Sequence, residues 1–242
     1  MTRRLAVRLR AGRLARRRFA KRWRRRVLKL VLILALAPVL WVGVYRWIDP
    51  PTTYLIVAEW SRLGEVAREW RDLDEMSPHL PRAAMAGEDA RFCDHWGFDV
   101  EEIRNALADK DRRRGASTIT QQVAKNVFLW PDASWLRKGM EAGFTILIEA
   151  LWPKRRIIEV YLNVAETGIG TFGAEAGAAR YFGENARDLT LREASLIVAA
   201  LPNPKVRDPK RPTAFMNRRA AAIADGAETL RRSGGADCLD HG

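Results

Sequence analysis

The first 26 residues contain no acidic side chain, and their thirteen Lys or Arg account for the chain's entire net charge of +13. The remaining residues hold 29 bases and 29 acids, so the body of the chain is neutral. A body without a basic excess is not built to grip nucleic acid through a broad cationic face. Cysteine is almost absent. Cys93 and Cys238 alone exclude a disulfide-rich scaffold and a four-cysteine zinc site. The expectation is that Cys93 is a small buried filler, that Cys238 lies in a frayed terminus running from Arg232, and that the two are not bonded. No serine is followed three positions later by lysine, so a Ser-x-x-Lys nucleophile is missing. Period-two alternation is scarce, which argues against a large half-buried sheet. No internal repeat is visible. What remains is a chain of 242 residues, 48% hydrophobic, enough for one folded domain with attachments.

Residues 30–45 form a run of sixteen without a charge. Extended to residues 27–48, the run would span about 33 Å as a helix, matching a hydrocarbon core of roughly 30 Å. Lys29 and Arg46 sit near its ends, where long side chains can reach the interface, and Trp41, Tyr45 and Trp47 suit an interfacial belt. Pro38 is tolerable within a membrane helix. Two other readings compete. A buried core helix lacks an accompanying charge-rich face. A cleaved signal peptide would use Ala35-Leu36-Ala37, but the cut would fall before Pro38 and the apolar run would be short. An uncleaved anchor is therefore expected. The positive-inside rule keeps residues 1–26 in the cytoplasm as a solvated topology signal against anionic lipid, and places everything after about residue 48 outside. Asp49-Pro50-Pro51-Thr52 reads as a stiff exit linker, and Trp60 and Trp70 suit a membrane surface.

The body reads as mainly α. Ile119, Val123 and Val127 recur every four residues, as do Met140, Phe144 and Ile148. Ile157, Ile158, Tyr161 and Leu162 form another stripe. Leu189 to Leu201 stops at Pro202-Asn203-Pro204. Gly168 to Gly173 is a glycine-rich bend. Several short helices with short connections imply a compact α domain.

Three clusters could carry chemistry. Glu88 opens a run of acids with His95 that ends at Asp99, after an Ala-rich helical turn. It reads either as a helix C-terminus with solvated acids or as a carboxylate placed as a general base. A metal site must also be weighed, but the spacing fits no standard zinc pattern. Next, Gly115-Ala116-Ser117-Thr118 leads into a helix, and Thr118 with Gln121 fits a capping box. The same residues, with Gln122 and Lys125 on a face largely apart from the apolar stripe, also suit a phosphate site at a helix N-terminus. It is not a Walker loop, because the glycine spacing is wrong. Finally, Arg137, Lys138 and Glu141 share a helix, either as a surface ion pair of small worth or as a carboxylate among cations beside an anionic group. Two separated carboxylates with cations point to acid–base chemistry on a sugar or phosphosugar.

These blocks, in order, resemble the signature of the peptidoglycan glycosyltransferases. The resemblance rests on Glu88-Asp89, Phe92, His95, Gly97 and Asp99; on Gly115 to Thr118 with Gln121, Gln122, Lys125 and Asn126; and on Arg137, Lys138 and Glu141. Ile158-Glu159, Tyr161-Leu162-Asn163 and Leu191 through Pro204 complete it. It implies a lysozyme-like, mainly α fold behind one N-terminal transmembrane helix, in a single-pass protein of the bacterial inner membrane with its catalytic domain in the periplasm. The implied boundaries are a tail at 1–26, an anchor at 27–48, a glycosyltransferase domain at 49–220, and a C-terminal helix with a flexible tail at 221–242.

The implied reaction polymerises lipid II into β-1,4-linked glycan strands and releases undecaprenyl pyrophosphate. Glu88 would be the general base, expected to be modestly exposed and ionised near pH 7. Glu141 would assist at the pyrophosphate, directly or through a divalent cation (Mg or Mn) that it ligates. Lys125, Arg137 and Lys138 would steady the leaving group, and Ser117, Thr118, Gln121, Gln122 and Asn126 would line the pocket. The growing strand, the membrane and proteins of cell-wall synthesis or division are the implied partners, with no role for nucleic acid. One position departs from the family: Ala133 stands where an Arg usually contacts substrate phosphate. A glycan hydrolase on the same scaffold, a non-catalytic scaffold protein and a nucleic-acid binder acting through the tail are the competing classes.

Overall fold

The computed structural model describes residues 2–108 and 117–240, so Gly115 and Ala116 and the last two residues lie outside the described part. The chain divides into two units, Met1–Val44 and Tyr45–Gly242. The first is one helix, α1 (Thr2–Val44), which runs through Pro38 without ending. Its stretch Lys21–Val44 is long and apolar enough to cross a bilayer. Leu28, Ile33, Leu34 and Leu40 are all uncovered by protein, which distinguishes it from a buried core helix.

The helix stops before the expected residue 48. Arg156 donates to the carbonyls of Tyr45 and Ile48 at 3.1 Å each and pairs with Asp49 at 2.9 Å, drawing this stretch into the second unit. Arg68 donates to the carbonyls of Pro50, at 2.6 Å, and Pro51, so the proline linker is held as well as stiff.

The second unit is built from α2 (Tyr54–Leu63), α3 (His79–Glu88), α4 (Val100–Ala108), α5 (Ile119–Phe128), α6 (Trp135–Leu151), α7 (Lys154–Val164), α8 (Ala174–Phe182), α9 (Leu191–Ala200) and α10 (Ala214–Ser233). The sheet is minimal. β1 (Ala67–Arg68) runs parallel to β3 (Thr171–Phe172), which pairs antiparallel with β2 (Glu166–Gly168). The glycine-rich bend is the β2–β3 turn, with Gly170 at φ 61°.

Two helix clusters make the core. α3 packs on α9 and α10, while α5 packs on α6 and α7. Leu80, Met85, Ile119, Ile148, Ile157, Ile158, Tyr161 and Met216 are fully buried between them. The stripes read from the sequence are buried except at Met140, which is exposed at the first turn of its stripe, and each large buried apolar side chain contributes about 1.5–3 kcal/mol. Gly87 sets how closely α3 approaches its neighbours: a Cβ there would lie 2.5 Å from Val198 Cγ1 on α9 and 3.2 Å from Ile223 Cδ1 on α10. The block Ile158–Asn163 is structural. Asn163 is fully buried, accepts from Arg71 N at 2.9 Å and donates to Arg71 O at 2.8 Å, while Glu159 accepts from Leu73 N at 3.0 Å.

The C-terminus corrects two expectations. α10 carries through residue 220 and ends at Gly234, whose φ of 74° turns the chain back. A short 3₁₀ turn, Asp237–Leu239, follows, with Leu239 buried and its carbonyl accepting from Arg155 Nη1 at 3.1 Å. The segment is docked and not frayed. Cys238 and Cys93 are bonded, with their Cα atoms 5.7 Å apart. The polar, glycine-containing composition of the terminus concealed an anchor that depends on one buried leucine and a partner 145 residues away.

Candidate active site

Glu88 is the last residue of α3. Its side chain is only 13% exposed, a correction to the modest exposure expected. Oε2 accepts from Gln122 Nε2 at 3.0 Å. Oε1 is buried without a hydrogen-bond partner among the described residues, with Arg219 Nη2 3.5 Å away. Burial raises the Glu88 pKa above the ordinary carboxylate value, against the pull of Gln122 and the charges of Arg219, Arg207 and Lys125. A carboxylate with a free lone pair and raised basicity, held by one amide, has the character of a general base.

Of the acids after Glu88, Asp94 is exposed, but Asp89 and Asp99 are not solvated. Asp89 is buried; one oxygen meets His95 Nε2 at 2.8 Å and the other accepts Ile119 N at 3.0 Å, at the start of α5. Asp99 accepts from Arg91 Nε at 3.0 Å and from Glu102 N at 2.8 Å. Asp89, His95 and Asp99 bring their ligand atoms within 4.8 Å of one another, a group with the composition of a cation site. Their oxygens already accept from backbone amides and a guanidinium and meet the imidazole, so the arrangement folds the loop.

α5 connects the clusters. Thr118 caps it: its Oγ1 accepts from Gln121 N at 3.2 Å, and Gln121 Oε1 accepts from Thr118 N at 3.0 Å. Thr118 Oγ1 also donates to Gly97 O at 2.7 Å. Thr118 and Gln121 are therefore buried and hold the loop to the helix through the Thr118 hydroxyl and the Gln121 amide oxygen. Ser117 is exposed just before the cap, and Asn126 is half-buried on α5. Gln122 reaches Glu88. Lys125, one turn on, is largely buried; burial lowers its pKa, while Glu141 and Glu88 favour its charge and Arg137 and Lys138 oppose it.

The third cluster is not a surface pair. Glu141 is 3% exposed. Oε2 accepts from Arg137 Nη1 at 2.5 Å and Oε1 accepts from Lys138 Nζ. Ser134 caps α6 and Asp132 braces the turn, its carbonyl accepting from Arg137 Nε. Arg137 is buried, whereas Lys138 remains half-exposed, so Lys138 is the more accessible to an incoming anion. Ala133 is exposed in this turn. With both Glu141 oxygens bound by cations, metal ligation by Glu141 does not fit the donor set.

Two residues were missed. Arg219 donates to Gly87 O at 3.3 Å as well as facing Glu88, and Arg207, which donates to Ala199 O at 2.8 Å, also acts on the Glu88 charge. Arg219 had a signal: it lies on the apolar edge of α10, beside the buried Met216, Ala220 and Ile223. Arg207 follows a proline stop and shows no periodicity. Lys125, Arg137, Lys138, Arg207 and Arg219 outnumber Glu88 and Glu141, an excess suited to a polyanion. A cavity of about 410 Å³ lined by Leu63, Glu65, Val66, Ile169 and Arg180 contains none of these groups.

A family profile described as Transglycosylase matches residues 56–228. The chain is 50% identical over 223 residues to a biosynthetic peptidoglycan transglycosylase of Jannaschia sp., covering 92% of this chain and 93% of that one. It is 50% identical over 219 residues to the protein of that name from Rhodospirillum centenum, covering 89% and 95%. With that of Caulobacter vibrioides it shares 45% over 226 residues, covering 92% and 99%.

Proposed function

The chain belongs to the transglycosylase family and is a peptidoglycan glycosyltransferase, and we propose that it polymerises lipid II with inversion at the donor sugar. Glu88 takes the proton from the acceptor's 4-hydroxyl as that oxygen bonds to the donor's anomeric carbon. The bond from that carbon to the pyrophosphate oxygen breaks, and undecaprenyl pyrophosphate leaves with the electron pair. Lys125 and Lys138 stabilise the charge that grows on the leaving oxygens. Glu141 holds Arg137 and Lys138 in place and keeps the cluster from repelling itself apart. Ser117 and Asn126 are the remaining polar groups open to the sugar or phosphate. No step needs a divalent cation at Glu141.

The observation that carries this reading is the buried Glu88 oxygen without a hydrogen bond, held through Gln122 on α5, the helix that also carries Lys125 beside the Arg137–Lys138–Glu141 cluster. A hydrolase would need the carboxylate but not the cations. The α1 span supports attachment to the membrane that holds the lipid-linked substrate, and the Cys93–Cys238 bond supports a body on the oxidising, periplasmic side.

The test is lipid II polymerisation by the detergent-solubilised full chain, with Glu88→Gln beside it. Glycan strands from the wild type alone are expected. Strands from both proteins would remove Glu88 as the base, and shortening of finished strands would favour the hydrolase.

A further inference from the structure

We infer that the C-terminal segment beyond the family domain is a covalent strap that positions the loop leading away from the catalytic base. This rests on Glu88 being that base. The family match ends at residue 228, yet the chain continues through the rest of α10, reverses at Gly234 and docks by Leu239. The reversal favours glycine, since Gly234 lies at φ 74°, where an L side chain is strained. Arg155 fixes the turn from α7, holding Leu239 O at 3.1 Å and Asp74 at 2.6 Å. The docked turn presents Cys238 to Cys93.

Cys93 lies in the middle of the loop that runs from Glu88 to Asp99. That loop has little backbone support: Asp89 N donates to Met85 O, Phe92 N to Asp89 O and Asp94 N to Arg91 O, and beyond these it relies on side chains. Asp89 ties its start to α5, Thr118 ties Gly97, and Lys154 Nζ holds His95 O at 2.8 Å. The disulfide adds the one covalent tether between these points. The loop is held by these side-chain bonds and by the buried Phe92, and small displacements of a reacting group cost rate out of proportion to their size. Both sulfur-bearing residues are half-buried, so a small dithiol can reach the bond. In that exchange the dithiol becomes a disulfide and gives up two electrons and two protons, and Cys93 and Cys238 are released as two thiols.

The experiment compares the full-length oxidised protein, the same protein treated with dithiothreitol, and Cys93→Ser/Cys238→Ser. Amide exchange across residues 89–99 is expected to quicken about tenfold in both disulfide-free forms while α5 and α7 stay protected. The kcat for polymerisation is expected to fall about tenfold with KM within about twofold. Dithiothreitol should not affect the double variant. Near-UV circular dichroism of the reduced wild type keeps the test valid if the variant folds poorly. Free thiols in protein purified without reductant would overturn the strap, as would unchanged exchange and kcat. Loss of the near-UV signal together with protection everywhere would reduce the bond to a general staple and also overturn it. Glu88→Gln separates the two readings: if it is fully active while 89–99 loosens on reduction, the base assignment fails and the strap stands.

Discussion

As the proposed base, Glu88 combines two demands that pull in opposite directions. To accept a proton it must be ionised, yet its burial favours the protonated form. The folded pKa lies above the unfolded one, so the group favours folding below the unfolded pKa and costs stability as pH rises through the folded value. Glu88→Gln should therefore abolish turnover while raising the melting temperature at pH 7 by about 2–4 °C, and this gain should vanish near pH 4. Calorimetry at the two pH values checks the sign. The same burial predicts a bell-shaped rate profile. Its acid limb should lie above the usual glutamate range, and its alkaline limb, set by Lys125, below the usual lysine range. Ala133 makes a separate prediction. It is exposed beside a cluster in which Arg137 is already committed to Glu141, so Ala133→Arg should lower KM for lipid II about three- to tenfold with little change in kcat.

At the level of elements, α3 delivers Glu88 to the site, and Gly87 decides where α3 ends. Gly87→Ala would press a methyl into Val198 and Ile223, costing about 1–3 kcal/mol and shifting Glu88 relative to Gln122. A drop in kcat greater than the lost folded fraction explains is the expected readout. This constraint was not legible in the sequence, because it depends on which helices cross at residue 87. The helices themselves were legible, since the stripe Ile119–Val123–Val127 and the stop at Pro202 are local signals. So was the Thr118–Gln121 capping box, which the structure contains in full. Glu141 shows the opposite case. Its neighbours at i−4 and i−3 were plain from spacing, but spacing does not reveal that the face is buried, and burial is what changes a surface pair into a fixed cationic cluster. Arg219 was half-legible, its place on α10 visible and its partner on α3 not.

Over the whole molecule, charge and covalent connection are segregated. The net positive charge belongs to the N-terminal arm, and the body, neutral overall, gathers Lys125, Arg137 and Lys138 around Glu141. The Cys93–Cys238 bond closes a loop that a chain-entropy treatment values at about 5 kcal/mol for this length, toward the top of the usual range. That bond also makes residues 93–238 a closed ring, with Glu88, the anchor and the arm as a tail leading out of it. A protease that cuts once anywhere between residues 94 and 237 therefore opens the ring without parting the molecule. The nicked protein should migrate as one species on a non-reducing gel and as two after reduction. The piece bearing α1 would still hold the other at the bilayer, so a single cleavage would leave every part of the site attached to the membrane.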